Sequence, residues 1–280
     1  MSNLLQNDFS HNNITFTKDE HAMWKRLFTK QMINLKDKAY PVFFSNMEKF
    51  CLSSEKIPSL KEISERLYSA SGWKVVPVQG LIDFEHYFHL LSQKKFPSTM
   101  FIRTINEENL AKDPDIFHEV FGHCTMLMSQ DYADFMQEYA RFALTVKECD
   151  RPLFARLIWF TTETGLINTA NGVKIFGSSV ISSYSESIYC FEKDGPIIKP
   201  FNIVHIFQEP YRADLLQKVY YTLDSSKQIF NVLNNIPELY SALKEARQLG
   251  EFQPLFPVEH NKYTNIGHCI PLQEIAEYVV

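Results

Sequence analysis

Two histidines and one carboxylate in this sequence have the types and surroundings for chemistry. His118 and His123 lie in Asp115-Ile116-Phe117-His118-Glu119-Val120-Phe121-Gly122-His123, five residues apart in a segment of helical character. On an ideal α-helix that spacing leaves the rings roughly 140° apart, so they share no face. Both reach one metal only if the helix loosens through a π-type turn or a break. Gly122, directly before His123, is where that adjustment is expected. The carboxylate is Glu163, closing the apolar run Leu157-Ile158-Trp159-Phe160-Thr161-Thr162. Its burial is costly unless a cation, a donor or a metal meets it. Two His and one carboxylate are the ligand set of non-haem Fe(II) oxygenases, which leave positions open for O2 and substrate. The alternative is bland: two histidines hydrogen-bonded in the core or turned to solvent, and Glu163 in an exposed loop. A zinc hydrolase would use His118 and His123 with Glu119 as general base, but that family wants its histidines four apart, on one stripe.

These residues need elements to hold them. Trp24, Leu27, Phe28, Met32 and Leu35 space as one helical face within 21–50, with Pro41 opening a second helix. Ser59-Leu60-Lys61-Glu62 has capping-box form ahead of a helix closed by Gly72. Residues 73–78 read as a strand or extended loop, 83–93 as a helix, and 101–104 as a short strand. Asp113 and Pro114 predict the start of the histidine helix, running from Ile116 to about Met128. Further helices are expected from Asp131, over Arg151 to about Thr162, over Ser182 to Cys190 and over Ala213 to Leu233. Ala170-Asn171-Gly172 predicts a hairpin turn between Leu166 and Phe176. The fold class is mainly α, one domain of irregular helices with short strands and one small hairpin.

Composition excludes other classes. With 280 residues, 45% hydrophobic, the chain can bury a core without disulfides. Its 23 Phe, 13 Tyr and 3 Trp are too many for a disordered chain. A net charge of −5 gives no basic field, so no nucleic-acid partner is expected. Five scattered cysteines without a Cys-x-x-Cys pair read as reduced thiols of a cytoplasmic protein. The first twenty residues have neither a basic n-region nor an apolar stretch, so neither a signal peptide nor a membrane partner is expected.

Longer motifs carry a resemblance. Pro77-Val78-Gln79-Gly80-Leu81, the stretch from Asp113 to His123, Trp159 to Asn168 and Ile181 to Cys190 are similar, in order and spacing, to the aromatic amino acid hydroxylases, most of all the short bacterial phenylalanine 4-hydroxylases. The similarity begins near His21 and continues past Tyr211. It implies a monooxygenase converting L-phenylalanine to L-tyrosine with O2, a tetrahydropterin and one Fe(II). By the same resemblance His118, His123 and Glu163 are the metal ligands, and Glu186 is an acid of the surrounding shell. Arg103 binds the amino acid's carboxylate, with Pro114, Trp159 and Ser182 in the substrate pocket. The pterin lies along Gly80, Leu81, Ile82 and Tyr87, with Glu119 and Ala155 beside it.

Some positions depart from the family's better-known animal members. Thr164 stands where an aromatic is usual, Ser178-Ser179 where Ala-Gly is common, and Ile158 in place of a tyrosine. Thr164 is expected to loosen or repolarise the substrate pocket. Ala213 falls where tyrosine hydroxylases carry an acid, favouring phenylalanine, although tyrosine or tryptophan would follow the same mechanism. A homologue that binds without turnover is the remaining rival, and the intact triad argues against it. Residues 1–19 are expected as a flexible lead-in, 20–250 as the catalytic domain, and 251–280 as a docked tail without a coiled coil. Neither a regulatory domain nor any partner beyond the small substrate is expected, in a monomer or homodimer.

Overall fold

The computed structural model describes residues 15–80 and 82–257. Helix α1 (Lys18–Leu35) opens on a capping box in which Thr17 and Glu20 satisfy each other's backbone N–H, and it buries Trp24, Leu27, Phe28 and Leu35. Pro41 opens α2 (Pro41–Phe50). A second capping box, Ser59 with Glu62, starts α3 (Leu60–Ser71), and Gly72 ends it with φ of +77°. Strand β1 (Lys74–Val78), α4 (Phe84–Ser92, capped by Asp83) and β2 (Lys95–Thr99) follow, and the two strands pair in parallel. Pro77 and Pro97 are tolerated because both strands of this two-stranded sheet are edges. The strand expected at 101–104 therefore lies earlier, at β2. Residues 101–104 form no strand; the Phe101 carbonyl accepts from Ile116 N at 2.9 Å.

A π-helical stretch, His118–Cys124, runs into α5 (Thr125–Leu127), and α6 (Gln130–Ala143) follows. Helix α7 (Arg151–Ile158) continues into a second π-helical stretch, Trp159–Glu163. The hairpin of β3 (Leu166–Thr169) and β4 (Gly172–Ile175) leads to α8 (Ser178–Ser182) and α9 (Tyr184–Tyr189). The helix expected over Ser182–Cys190 is thus two, broken at Ser183, whose extended backbone lets its side chain cap α9.

The C-terminal half holds the largest departure. Strand β5 (Ile197–Pro200), α10 (Ile203–Gln208) and β6 (Val219–Leu223) precede α11 (Ser226–Phe230) and α12 (Ile236–Leu249). Instead of one helix over Ala213–Leu233, five fully buried residues of β6 pair in parallel with both β3 and β5, giving the sheet order β4-β3-β6-β5. Helix α12 was not anticipated; Asn235 caps it. Residues 251–257 lie on this half, with Phe252 N donating to the Gln208 carbonyl at 2.9 Å and Arg212 to the Pro257 carbonyl at 3.2 Å. The remainder of the expected tail, and residues 1–14 of the expected lead-in, lie outside the described residues.

The fold is mainly α, around one continuous apolar core. An aromatic stack fixes the histidine stretch from behind. Phe117 and Phe121 stack at 4.6 Å, Trp24 meets Phe117 at 5.4 Å, and Phe28 and Phe43 meet Phe121 at 5.3 and 5.4 Å. Among the described residues no helix is long and apolar enough to cross a membrane.

Candidate metal centre

The first turn of the histidine segment is capped by Asp115, not by the expected Asp113. Asp115 Oδ1 accepts from His118 N at 3.0 Å. The turns that follow bond i to i+5, so residues five apart lie one above the other, and the awkward His118–His123 spacing becomes alignment. Gly122 has a packing reason as well: a Cβ there would stand 2.9 Å from the Ser178 carbonyl of α8. Gly177 is equally constrained, since its Cβ would fall 2.2 Å from the Glu163 carbonyl. Both glycines let α8 sit against the two π-helical stretches at once.

The three donors converge. His118 Nε2 and His123 Nε2 are 3.1 Å apart, His123 Nε2 is 3.1 Å from Glu163 Oε1, and His118 Nε2 is 3.9 Å from Glu163 Oε2. Metal–ligand bonds of about 2.1 Å at right angles put neighbouring donors roughly 3.0 Å apart, so this set fits three ligands on one face of a metal. The protonation states fit too. Burial, and then the neighbouring His123, push His118 down to about 3, which keeps it neutral. Burial opposes ionisation of Glu163, but the two histidines and the Ser179 hydroxyl outweigh it and hold the carboxyl at about 2. A neutral imidazole and an ionised carboxylate are the forms that ligate a metal.

Surrounding groups set the orientation. The Ser182 hydroxyl donates to the Ser179 carbonyl at 3.3 Å, which leaves its oxygen to accept from His118 Nδ1–H at 2.8 Å. That tautomer turns the Nε2 lone pair toward Glu163 and His123. His123 has no such support: its buried Nδ1 lacks a hydrogen-bond partner among the described residues, and its ring lies against Phe96 at 5.1 Å. Ser179 Oγ donates to Glu163 Oε2 at 2.7 Å.

The other sequence candidates distribute around this centre. Arg103 is buried and already paired. Its Nε and NH2 donate to Asp115 at 2.9 and 2.7 Å, and its NH1 donates to the Ser182 carbonyl at 3.2 Å. Two of its five N–H donors remain. Pro114 is half-buried, and its carbonyl accepts from Thr99 at 3.0 Å. The Trp159 ring stacks on Tyr211 at 4.4 Å, and its indole N–H donates to Gln217 at 3.0 Å. The Thr164 hydroxyl donates back to the Trp159 carbonyl at 2.8 Å and closes the π turn. Burial, then Glu163 and Glu119, raise the Tyr87 phenol, which sets Tyr87 within electrostatic reach of the metal carboxylate. Glu119 is buried, and burial followed by the Glu163 and Asp115 carboxylates raises its carboxyl well above the usual range. That shift is wrong for the ionised base of a zinc hydrolase. Gly80 has φ of +90°, Ile82 and Ala155 are half-buried, and Leu81 lies outside the described residues. Glu186 bonds to the Tyr220 hydroxyl and to Gln217 N rather than to a metal ligand, and burial raises its carboxyl to about 7.

Sequence reasoning missed Asp115, Ser179, Gln217 and Tyr211. Asp115 had a signal, being an acid three residues before His118 at the helix start. Ser179 had one too, standing where an Ala-Gly pair is common; Gln217 and Tyr211 had none, since each meets Trp159 from a distant part of the chain.

Comparison with known proteins agrees with this geometry. The biopterin-dependent aromatic amino acid hydroxylase family matches residues 7–265. The phenylalanine-4-hydroxylase of Vibrio cholerae is 35% identical over 253 residues, covering 90% of this chain and 87% of that one. The phenylalanine hydroxylase structure from Legionella pneumophila superposes with a TM-score of 0.82 at 41% identity, covering 87% of this chain and 96% of that one. The Chromobacterium violaceum phenylalanine hydroxylase, solved with iron(III) and 7,8-dihydrobiopterin, superposes at 0.79 with 34% identity, over 84% and 86% of the two chains.

Proposed function

Because this chain belongs to the biopterin-dependent aromatic amino acid hydroxylases, we propose that it converts L-phenylalanine to L-tyrosine with O2 and a tetrahydropterin at one non-haem Fe(II). The observation that carries the reading is the convergence of His118, His123 and Glu163, with their donor atoms within 4.8 Å of one another, His118 neutral and Glu163 ionised. The bound iron and pterin supply the reductive activation of O2, from which one oxygen enters the aromatic ring.

The rest is the work of this chain's own residues. His118, His123 and Glu163 hold iron from one side and leave the opposite positions for O2 and water. Arg103 offers its two remaining donors to the amino acid's carboxylate, while Asp115 and Ser182 keep the guanidinium from turning. Trp159, pinned by Tyr211 and Gln217, is the wall against which the substrate ring rests, with Pro114 and Ser182 alongside. Gly80, Leu81, Ile82, Tyr87, Glu119 and Ala155 form the pterin side. The rigidity of the wall holds the ring carbon at a fixed place relative to the metal, which is where positioning lowers a barrier.

The test is direct. Purified protein with Fe(II), a tetrahydropterin, O2 and L-phenylalanine should yield tyrosine by chromatography, and His118→Ala should yield none. An iron-loaded protein that makes no tyrosine, or an active His118→Ala variant, would sink the reading.

A further inference from the structure

The third ligand has a support that the family resemblance does not supply. Ser178-Ser179 stands where the better-known animal members commonly carry an Ala-Gly pair. Ser179 serves two ligands at once. Its carbonyl accepts from Ser182, whose oxygen fixes the His118 tautomer, and its Oγ donates to Glu163 Oε2 at 2.7 Å. Each carboxylate oxygen faces one histidine: Oε1 lies 3.1 Å from His123 Nε2, and Oε2, which the hydroxyl holds, lies 3.9 Å from His118 Nε2.

On the reading that His118, His123 and Glu163 bind the metal, we infer that Ser179 is a positioning residue that fixes the orientation of the Glu163 carboxylate toward the two histidines. Glu163 ends a π-helical stretch, and rotation about the last bond of its side chain has only a broad torsional preference. The hydroxyl stops that rotation with a charge-assisted bond. Gly177 brings the α8 backbone against Glu163, so the donor is on a rigid turn rather than a loose loop.

Removing a group that orients a ligand typically costs 10–100-fold in metal affinity or activity. Co(II) titration of the metal-free protein, without substrate or pterin, reads both affinity and coordination through the d–d absorption bands. Ser179→Ala should weaken Co(II) by about tenfold and change band position and intensity, the change expected when the Glu163 carboxylate is free to turn. Ser179→Thr, which keeps the hydroxyl, should restore both, and Ser178→Ala, whose hydroxyl makes no bond to Glu163, should change neither. Wild-type affinity and spectrum in Ser179→Ala would overturn the inference. So would equal loss in Ser179→Ala and Ser179→Thr, because the effect would then belong to packing rather than to the hydroxyl. Failure of the wild type itself to bind Co(II) would instead overturn the metal reading, so the two failures are distinguishable.

Discussion

Two neighbouring regions joined through Ser182 handle buried charge in opposite ways. At Arg103 and Asp115 a guanidinium and a carboxylate neutralise each other, and Asp115 accepts four hydrogen bonds: three from Arg103, including its backbone N–H, and one from His118 N. At His118, His123 and Glu163 one carboxylate meets two imidazoles, of which burial holds at least His118 neutral, with single hydroxyls behind His118 and Glu163. The first region is closed: every charge has its partner within the chain. The second is open, with three lone-pair donors aimed at a common point and a negative charge that only a cation completes. A buried ion pair and a metal site are built from the same residue types, and the presence or absence of an internal cation separates them.

That difference predicts how each region breaks. Removing the carboxylate from the open region should abolish function while sparing the fold. Glu163→Ala should lose metal and fall to background turnover, with the thermal midpoint of the metal-free protein near that of the wild type. A variant that still turns over would show that the open region is not the catalytic centre. In the closed region the order reverses. Arg103→Ala leaves Asp115 buried and unpaired, which should cost about 3–5 kcal/mol in denaturant unfolding. Arg103→Lys keeps the charge but loses the fork, so it should fold and raise the phenylalanine requirement more than the pterin requirement. Equal effects on both substrates would remove Arg103 from the carboxylate role.

The smaller predictions concern pH, and here two buried groups pull in opposite directions. His118 titrates at about 3 in the fold against an ordinary 6.5, so the unfolded chain takes up a proton that the folded one refuses. Stability of the metal-free protein should therefore fall as pH drops from 6.5 toward 3, and His118→Gln should flatten that slope. Glu186, raised to about 7 by burial, favours the folded state in its neutral form. Its contribution is complete below about 4.5 and is lost as pH rises through 7. Glu186→Gln should flatten the slope between pH 5 and 8, the smallest effect of the set. Unchanged slopes in melting curves of either variant would show that its carboxyl or imidazole is not the group responsible.

Much of the N-terminal half was legible because its signals are local. The Ser59 capping box, Pro41 and Gly72 each act within one helical turn and stand where the sequence put them, whereas the Thr17 capping box falls inside the expected lead-in and the cap expected at Asp113 lies at Asp115. The π turn between His118 and His123 was legible for a different reason, since two ligands five apart admit few other geometries. Strand β6 was not legible. Val219, Tyr220, Tyr221, Thr222 and Leu223 are buried on both faces and show no alternation, so the run fits a helix as well as a strand. Its partners are β3, some fifty residues earlier, and β5.

The sequence by itself pointed to the candidate metal ligands and to the start of several helices. Ligand type is a matter of residue type, and a cap is a contact between residues three apart. Tertiary structure alone decided what stands behind each candidate group: Asp115 against Arg103, Ser182 against His118, Ser179 against Glu163, and Gln217 against Trp159. Those pairs span 12, 64, 16 and 58 residues. Over such separations no local propensity fixes a partner; each pair exists because the core brings α8 and the loop before β6 against the two π-helical stretches.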